Sequence, residues 1–493
     1  MRTAHGHHSE TCVTAPVSTL REMRETLERE TKLRPGEGFV LPELGGERLP
    51  TRVFVSTYHD TTDLRLARHG VTFRHRIEDG EGLWQLKLPR GAARIELELP
   101  GPPDRPPTEM LGLLPAYLRG CEVVPVARLR TRREGVRAQG AEIVDDNVSV
   151  IVGRRVERRF RELEVELLEG DERTLRRLER ELRRAGAEVD GSQKPKLYQA
   201  LDLAEPPRRR EIPEQTPAAE ALGIAFEEQY RQMLAHDPGT RRGDDPEDLH
   251  QLRVATRRLR AFLRSARPLL DHDWAEGLRA ELGWLGGALG PARDLDVMLE
   301  RLAAEVSSLG HDAAAARSLV ETLETEREQA YRTVVEALES ERYLTLLDRL
   351  EGAVAPPLSG KQTTLSAIWH REVKRMRRAF EALGDEPEDE VLHASRIGVK
   401  RARYAAELAA HELRKPGLSF IACAKELQDV LGEHQDAVVA EERIRAWAES
   451  APPEGRVAAG RLVQLERERR AVSRAAWPEA WAQLDRAARK AAR

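Results

Sequence analysis

The apolar residues of this chain change their period once, near residue 210, and that change divides what the chain can fold into. From Leu27 to Leu201 apolar and polar residues mostly alternate, the period of strands whose side chains point to opposite faces. Turn-rich breaks such as Glu78-Asp79-Gly80 and Pro100-Gly101-Pro102-Pro103 separate these runs. Helical patterns interrupt them at Glu172–Ala185 and near Pro106–Leu118. After Thr216, long segments rich in Ala, Leu, Glu and Arg carry apolar residues at intervals of three and four, which predicts long antiparallel helices. Proline clusters punctuate them near Asp237-Pro238-Gly239, Ala355-Pro356-Pro357 and Pro452-Pro453.

The expected class is therefore α+β multidomain, a β-rich N-terminal domain followed by an all-α one. The domains fall as a polar tail (1–24), a strand domain (25–203), a Pro-rich charged linker (204–214) and a helical domain (215–493) with repeat halves at about 215–350 and 360–493. No apolar run approaches the roughly 20 residues that span a bilayer, so no membrane partner is expected and a cytoplasmic location is the default. Cys12, Cys121 and Cys423 form no close pair, which argues against a disulfide framework or a zinc site. Cys12 lies near His5, His7 and His8, but no periodic segment fixes a metal geometry there.

The net charge of −4 is a near-cancellation of 80 basic and 84 acidic residues, so position matters more than the total. Glu28, Glu30 and Lys32 share one strand face, as do Arg74 and Arg76. Lys87 stands in Trp84-Gln85-Leu86-Lys87-Leu88. Arg128, Arg130 and Arg132 alternate with Ala127, Leu129 and Thr131, while Glu162, Glu164 and Glu166 alternate with Leu163, Val165 and Leu167. An ordinary half-buried sheet also alternates, with its polar face in water. Solvated faces mix residue types, however, whereas here whole strands are cationic or acidic. A closed barrel with charged residues inside and helices outside produces that segregation.

The segment Glu28–Lys32 resembles the ExExK signature of the CYTH, or triphosphate tunnel metalloenzyme, family. In order follow Thr57–Leu66, Gly70–Arg76, Leu86-Lys87-Leu88-Pro89, Glu162–Leu167 and Lys194–Leu201, a series over about 175 residues. The resemblance implies an eight-stranded antiparallel β-tunnel that hydrolyses inorganic triphosphate or a short polyphosphate with Mg²⁺ or Mn²⁺. It implies catalytic roles for Glu28, Glu30, Lys32 and Lys87, and phosphate binding by Arg74, Arg76, Arg130 or Arg132, and Lys194 or Lys196. Guanidinium forks and ammonium charges suit adjacent phosphates. The carboxylates Glu28, Glu30, Glu162, Glu164 and Glu166 make sense beside such an anion as ligands of a hard cation. Asp146 is a further ligand or a turn residue of Val144-Asp145-Asp146-Asn147.

In the helical half, His250, Arg253, Arg257, Arg260 and Arg264 fall within an arc of about 80°. His393, Arg396, Lys400 and Arg403 repeat the layout. Like charges three and four residues apart repel, so each stripe costs stability unless an anion compensates it. Asp294 and Asp436, which recur below the two copies, are read as helix caps. The repeated pattern resembles the CHAD domain over residues 215–493, which implies two related helical bundles that bind inorganic polyphosphate and an association with polyphosphate granules. Nucleic acid is not the expected partner, because the stripes carry little base-reading Asn or Gln.

Overall fold

The computed structural model describes residues 23–91, 93–188, 194–205, 210–384 and 386–492. The chain forms two compact units, divided between Arg208 and Arg209. The His5, His7, His8 and Cys12 group lies outside the described residues, as does part of the expected linker.

The first unit is one antiparallel sheet of ten strands: β1 (Arg24–Glu28), β2 (Glu30–Pro35), β3 (Glu47–Asp60), β4 (Thr72–Glu78), β5 (Glu81–Arg90), β6 (Ala93–Pro100), β7 (Val124–Ala138), β8 (Ala141–Val152), β9 (Arg155–Leu167) and β10 (Ala187–Glu188). Their order is β1-β6-β5-β4-β3-β7-β8-β9-β2-β10. Eight strands were expected. The count rises because Arg29 separates β1 from β2, and because the two-residue β10 adds to β2. Arg24, expected in the tail, opens β1 opposite Glu98.

That break at Arg29 explains the closure. β1 pairs with β6 and β2 with β9, so one nearly continuous segment joins the two edges of the sheet. A closed sheet has few free edges to pair with other chains. Inside and outside then follow from alternation. Leu33, Ile143, Leu163 and Val165 point outward and are buried against Leu178 and Leu182 of helix α4 (Glu172–Arg184). Each such aliphatic side chain contributes about 1.5–3 kcal/mol by leaving water. The Asp79-Gly80 corner between β4 and β5 has φ of 50° and 86°, the left-handed turn that suits a two-residue hairpin.

Three shorter helices precede α4: α1 (Arg65–Arg68), α2 (Thr108–Leu111) and α3 (Pro115–Leu118). The expected helix at Pro106–Leu118 is thus two turns, with Pro115 starting the second. Helix α5 (Lys196–Leu201) packs Leu197, Tyr198 and Ala200 against Tyr58, Leu129, Val148 and Val150. Leu129, Val148 and Val150 share the inward parity of Arg133 and Asp146, so α5 fills one end of the barrel.

The second unit is helical. Its first half holds α6 (Ala218–Arg242), α7 (Pro246–Ser265), α8 (His272–Ser308) and α9 (Arg317–Glu339), and α10 (Glu341–Glu351) follows. Its second half holds α11 (Leu365–Glu381), α12 (Asp389–Leu408), α13 (Ala410–Ser450) and α14 (Pro453–Ala491). In each half neighbours in sequence pack together, and α7 packs on α12 across the halves. The expected break at Asp237-Pro238-Gly239 is absent, because α6 runs through it and ends at Gly243. Arg241 holds Asp237 at 2.6 Å and Tyr343 donates to it at 2.9 Å, which anchors the helix past its proline. No helix among the described residues is long and apolar enough to cross a membrane.

Candidate functional site

The barrel encloses a cavity of about 240 Å³ whose lining is mostly charged. Nine cations and seven carboxylates line it. Glu28, Glu30 and Lys32 come from β1 and β2, Arg74 and Arg76 from β4, Lys87 from β5, Arg133 from β7, and Glu164 and Glu166 from β9. Lys196, at the start of α5, enters from the filled end.

Two clusters form. In the first, Lys196 Nζ lies 2.9 Å from Asp146, 2.5 Å from Glu162 and 2.8 Å from Glu164. Arg133 forks onto Asp146 at 2.8 and 2.6 Å and reaches Glu164 at 2.9 Å. Burial disfavours the Glu164 carboxylate, but Lys196, Lys32 and Arg133 outweigh it and hold its pKa well below the usual range. Asp146, Glu162 and Glu164 each offer an oxygen within 4.8 Å of the others.

In the second cluster acids outnumber bases. Lys87 Nζ sits 2.6 and 2.7 Å from the two oxygens of Glu28 and 3.5 Å from Glu96. Glu166 is pushed up to about 7 by burial and by Glu28, Glu96 and Glu30. Glu28 is also raised, by burial first and then, against Lys87, by Glu30 and Glu96. Their joint negative charge is therefore only partly compensated. Across the cavity, Arg74 donates to Gln85 at 2.9 Å and to the Tyr58 hydroxyl at 3.1 Å. The Arg76 guanidinium lies 3.8 Å from the centroid of the Phe54 ring and contacts Glu78.

Several expected residues stand elsewhere. Arg130 and Arg132 are exposed, and Arg132 pairs with Glu134 at 2.7 Å. Inward parity on β7 belongs to Leu129, Thr131 and Arg133, so the strand's cavity arginine is Arg133. The cationic alternation of 128, 130 and 132 marks the outer face. Of the two late lysines, Lys196 lines the cavity, whereas Lys194 lines a separate one. Asp146 is fully buried inside β8 and is not a turn residue.

In the helical unit the two stripes converge. A cavity of about 820 Å³ is lined by His250, Arg253 and Arg257 of α7 and by His393, Arg396, Lys400 and Arg403 of α12. Arg258, Arg293, Arg301 and Lys425 join them, against only Asp294, Asp429 and Asp436. Burial and the neighbouring Arg396, Arg257, Arg253 and Arg403 lower Lys400 to about 8. Arg253 and Arg396 are lowered too, each mainly by burial. Arg293 donates to His250 Nδ1 at 3.1 Å, so that nitrogen is an acceptor already in use. Gly432 gives Arg396 room, since a Cβ there would stand 3.0 Å from its guanidinium.

Arg260 and Arg264 do not line this cavity and are exposed. They share the angular face but lie about 15 and 21 Å along α7 from His250. Asp294 and Asp436 cap no helix. They lie inside α8 and α13 and face the stripes, Arg253 meeting Asp294 at 3.1 Å.

Comparison with known proteins places both units. A CYTH domain model matches residues 26–197 and a CHAD domain model matches residues 224–445. An uncharacterized protein of Mycobacterium tuberculosis is 32% identical over 522 residues, covering 97% of this chain and 99% of the relative. Among solved structures, PptA from Streptomyces chartreusis is 26% identical, over 54% of this chain and 99% of that chain, with a TM-score of 0.47. The CHAD domain from the plant Ricinus communis is also 26% identical, over 56% of this chain and 95% of that chain, with a TM-score of 0.46.

Proposed function

Because the chain belongs to the family that joins a CYTH domain to a CHAD domain, we propose that its barrel hydrolyses inorganic triphosphate or a short polyphosphate, and that its helical cavity holds longer polyphosphate. The observation that carries the first half is the undercompensated acid cluster facing guanidinium groups across one enclosed cavity. A bare triphosphate would be repelled by Glu28, Glu30 and Glu166. The same three carboxylates carry the oxygen donors that a hard divalent cation, Mg²⁺ or Mn²⁺, takes, and its binding would lower their mutual repulsion. Among the described residues, however, only Asp146, Glu162 and Glu164 bring three such oxygens within 4.8 Å of one another. Asp146, Glu162 and Glu164 form a second set, already bridged by Lys196 and Arg133.

When bound, the metal supplies charge neutralisation at the phosphoryl oxygens and a lowered pKa for water. Arg74 and Arg76 offer guanidinium donors to the phosphate chain, while Arg133, already forked onto Asp146, and Lys32, Lys87 and Lys196 add charge along its path. A carboxylate of the acid cluster that the metal leaves free would accept the proton of the attacking water. Fixed donors lining a cavity stabilise developing charge better than mobile solvent does.

Phosphate release from triphosphate with each metal tests this reading, and Glu28→Gln should reduce it roughly 10³-fold. ATP and thiamine triphosphate run in parallel separate a cyclase-like or thiamine triphosphatase-like activity. If no substrate releases product with either metal, the barrel is not catalytic and the chain is a polyphosphate-binding protein.

A further inference from the structure

Five neighbouring strands of the barrel set one row of inward side chains side by side. Tyr58 of β3 stands opposite Arg74 of β4, and Arg74 opposite Gln85 of β5. Gln85 stands opposite Glu98 of β6, and Glu98 opposite Arg24 of β1. All of them line the central cavity, and Gln85 is the one amide side chain among its described lining residues. It is buried.

The amide sits between a cation and two acids. Its carbonyl accepts from Arg74 Nε at 2.9 Å, and its NH₂ group donates to Glu96 at 3.0 Å and to Glu98 at 2.7 Å. That orientation is forced, because a guanidinium only donates and an ionised carboxylate only accepts. Arg74 also donates through a terminal nitrogen to the Tyr58 hydroxyl at 3.1 Å. Together the two bonds fix the plane of the guanidinium and commit two of its five N–H groups. The other three are left for an anion in the cavity.

We propose that Gln85 is a positioning residue for the phosphate chain: it aims the Arg74 guanidinium and, as a neutral group between Arg74 and the carboxylates of Glu96 and Glu98, keeps those acids from claiming it. Both tasks need an amide. A carboxylate of the same shape would pair with Arg74 and compete with phosphate for its donors, while setting a third like charge beside Glu96 and Glu98. An apolar side chain of the same length would give up all three bonds and leave Arg74 to turn toward a carboxylate. The role rests on reading the barrel as a triphosphate site, but not on hydrolysis there.

A double-mutant cycle with Arg74, read by titration calorimetry of the full chain, tests this. The probe is diimidotriphosphate with Mg²⁺, since its P–N–P links resist hydrolysis. In wild type, Arg74→Ala should raise Kd roughly 10- to 100-fold, the worth of hydrogen bonds to a charged group. Gln85→Glu and Gln85→Met should each raise Kd at least ~10-fold. Adding Arg74→Ala to either should then cost no more than about threefold, because the arginine has already lost its aim. Matched thermal melts confirm folding, and Gln85→Met decides the matter if the extra carboxylate of Gln85→Glu prevents it. Gln85 variants that bind as wild type does, or effects that multiply with that of Arg74→Ala, overturn the proposal. Wild type that binds the analogue but releases no phosphate from triphosphate refutes hydrolysis alone, and the cycle still decides Gln85. Wild type that does not bind it ends the triphosphate reading of the barrel and this role with it.

Discussion

Lys32 on β2 and Glu164 on β9 stand directly opposite each other in the strand pair that closes the barrel, with Nζ 2.5 Å from Oε1. Both are largely buried, and Lys32 also lies 3.6 Å from Glu30 and from Glu162. Removing Lys32 takes one ammonium from a buried cluster in which Lys196 and Arg133 still hold Glu164, at about 1.5–3 kcal/mol. Lys32→Met should therefore lower the urea-unfolding free energy of the strand domain by that amount. The exposed Arg132–Glu134 pair is the control, and Arg132→Ala should cost no more than about 1 kcal/mol. Equal costs would mean that water reaches the Lys32 side of the cavity.

Arg133 and Arg130 differ by three residues and by the face they occupy. Arg133→Ala should lower kcat/KM for triphosphate roughly 10- to 100-fold, the worth of one charge-assisted contact in the cavity. Arg130→Ala should stay within about twofold, as a surface change does. Steady-state assays of the two variants, matched for melting temperature, decide which arginine meets substrate.

That pair also shows where reading the sequence stopped. The ExExK strand and the Glu162–Glu166 strand were legible because two-residue spacing fixes which side chains share a face. Which face points inward is set by pairing between strands distant in sequence, and on β7 the cationic face turned outward. The closure at Arg29 was likewise invisible, since it depends on β1 and β2 choosing different partners. In the helical half, angle was readable but axial reach was not. Arg260 and Arg264 share the stripe's direction yet outrun the helix crossing, and Asp294 and Asp436 looked like caps because nothing local shows a helix continuing through them.

Glu166 makes stability depend on pH in chelator-treated protein. Its folded pKa of about 7 stands above the ordinary 4.5. Its favourable contribution is thus complete below pH 4.5 and is lost as pH rises through 7. The loss is on the order of 2–3 kcal/mol. Urea unfolding at pH 5 and 8 should show a smaller pH difference in Glu166→Gln than in wild type. Mg²⁺ or Mn²⁺ at pH 8 should restore wild type more than the variant. A variant with the wild-type pH dependence would place the titration on another group.

Lys400 gives the helical cavity its own pH signature, the loss of a positive charge rather than the gain of a negative one. Surrounded by Arg253, Arg257, Arg396 and Arg403, the free amine titrates near 8, and a bound polyanion would favour its ammonium form again. Below pH 8 the proton is already in place and polyphosphate binding should vary little with pH. Above pH 8 binding must take up a proton, so the affinity should fall by up to about tenfold per pH unit. Calorimetry in two buffers of different ionisation enthalpy measures that uptake directly. Lys400→Arg, which stays charged throughout, should bind without it. Proton uptake that survives in the arginine variant would assign the titration to His250 or Asp436, which line the same cavity and also carry shifted pKa values.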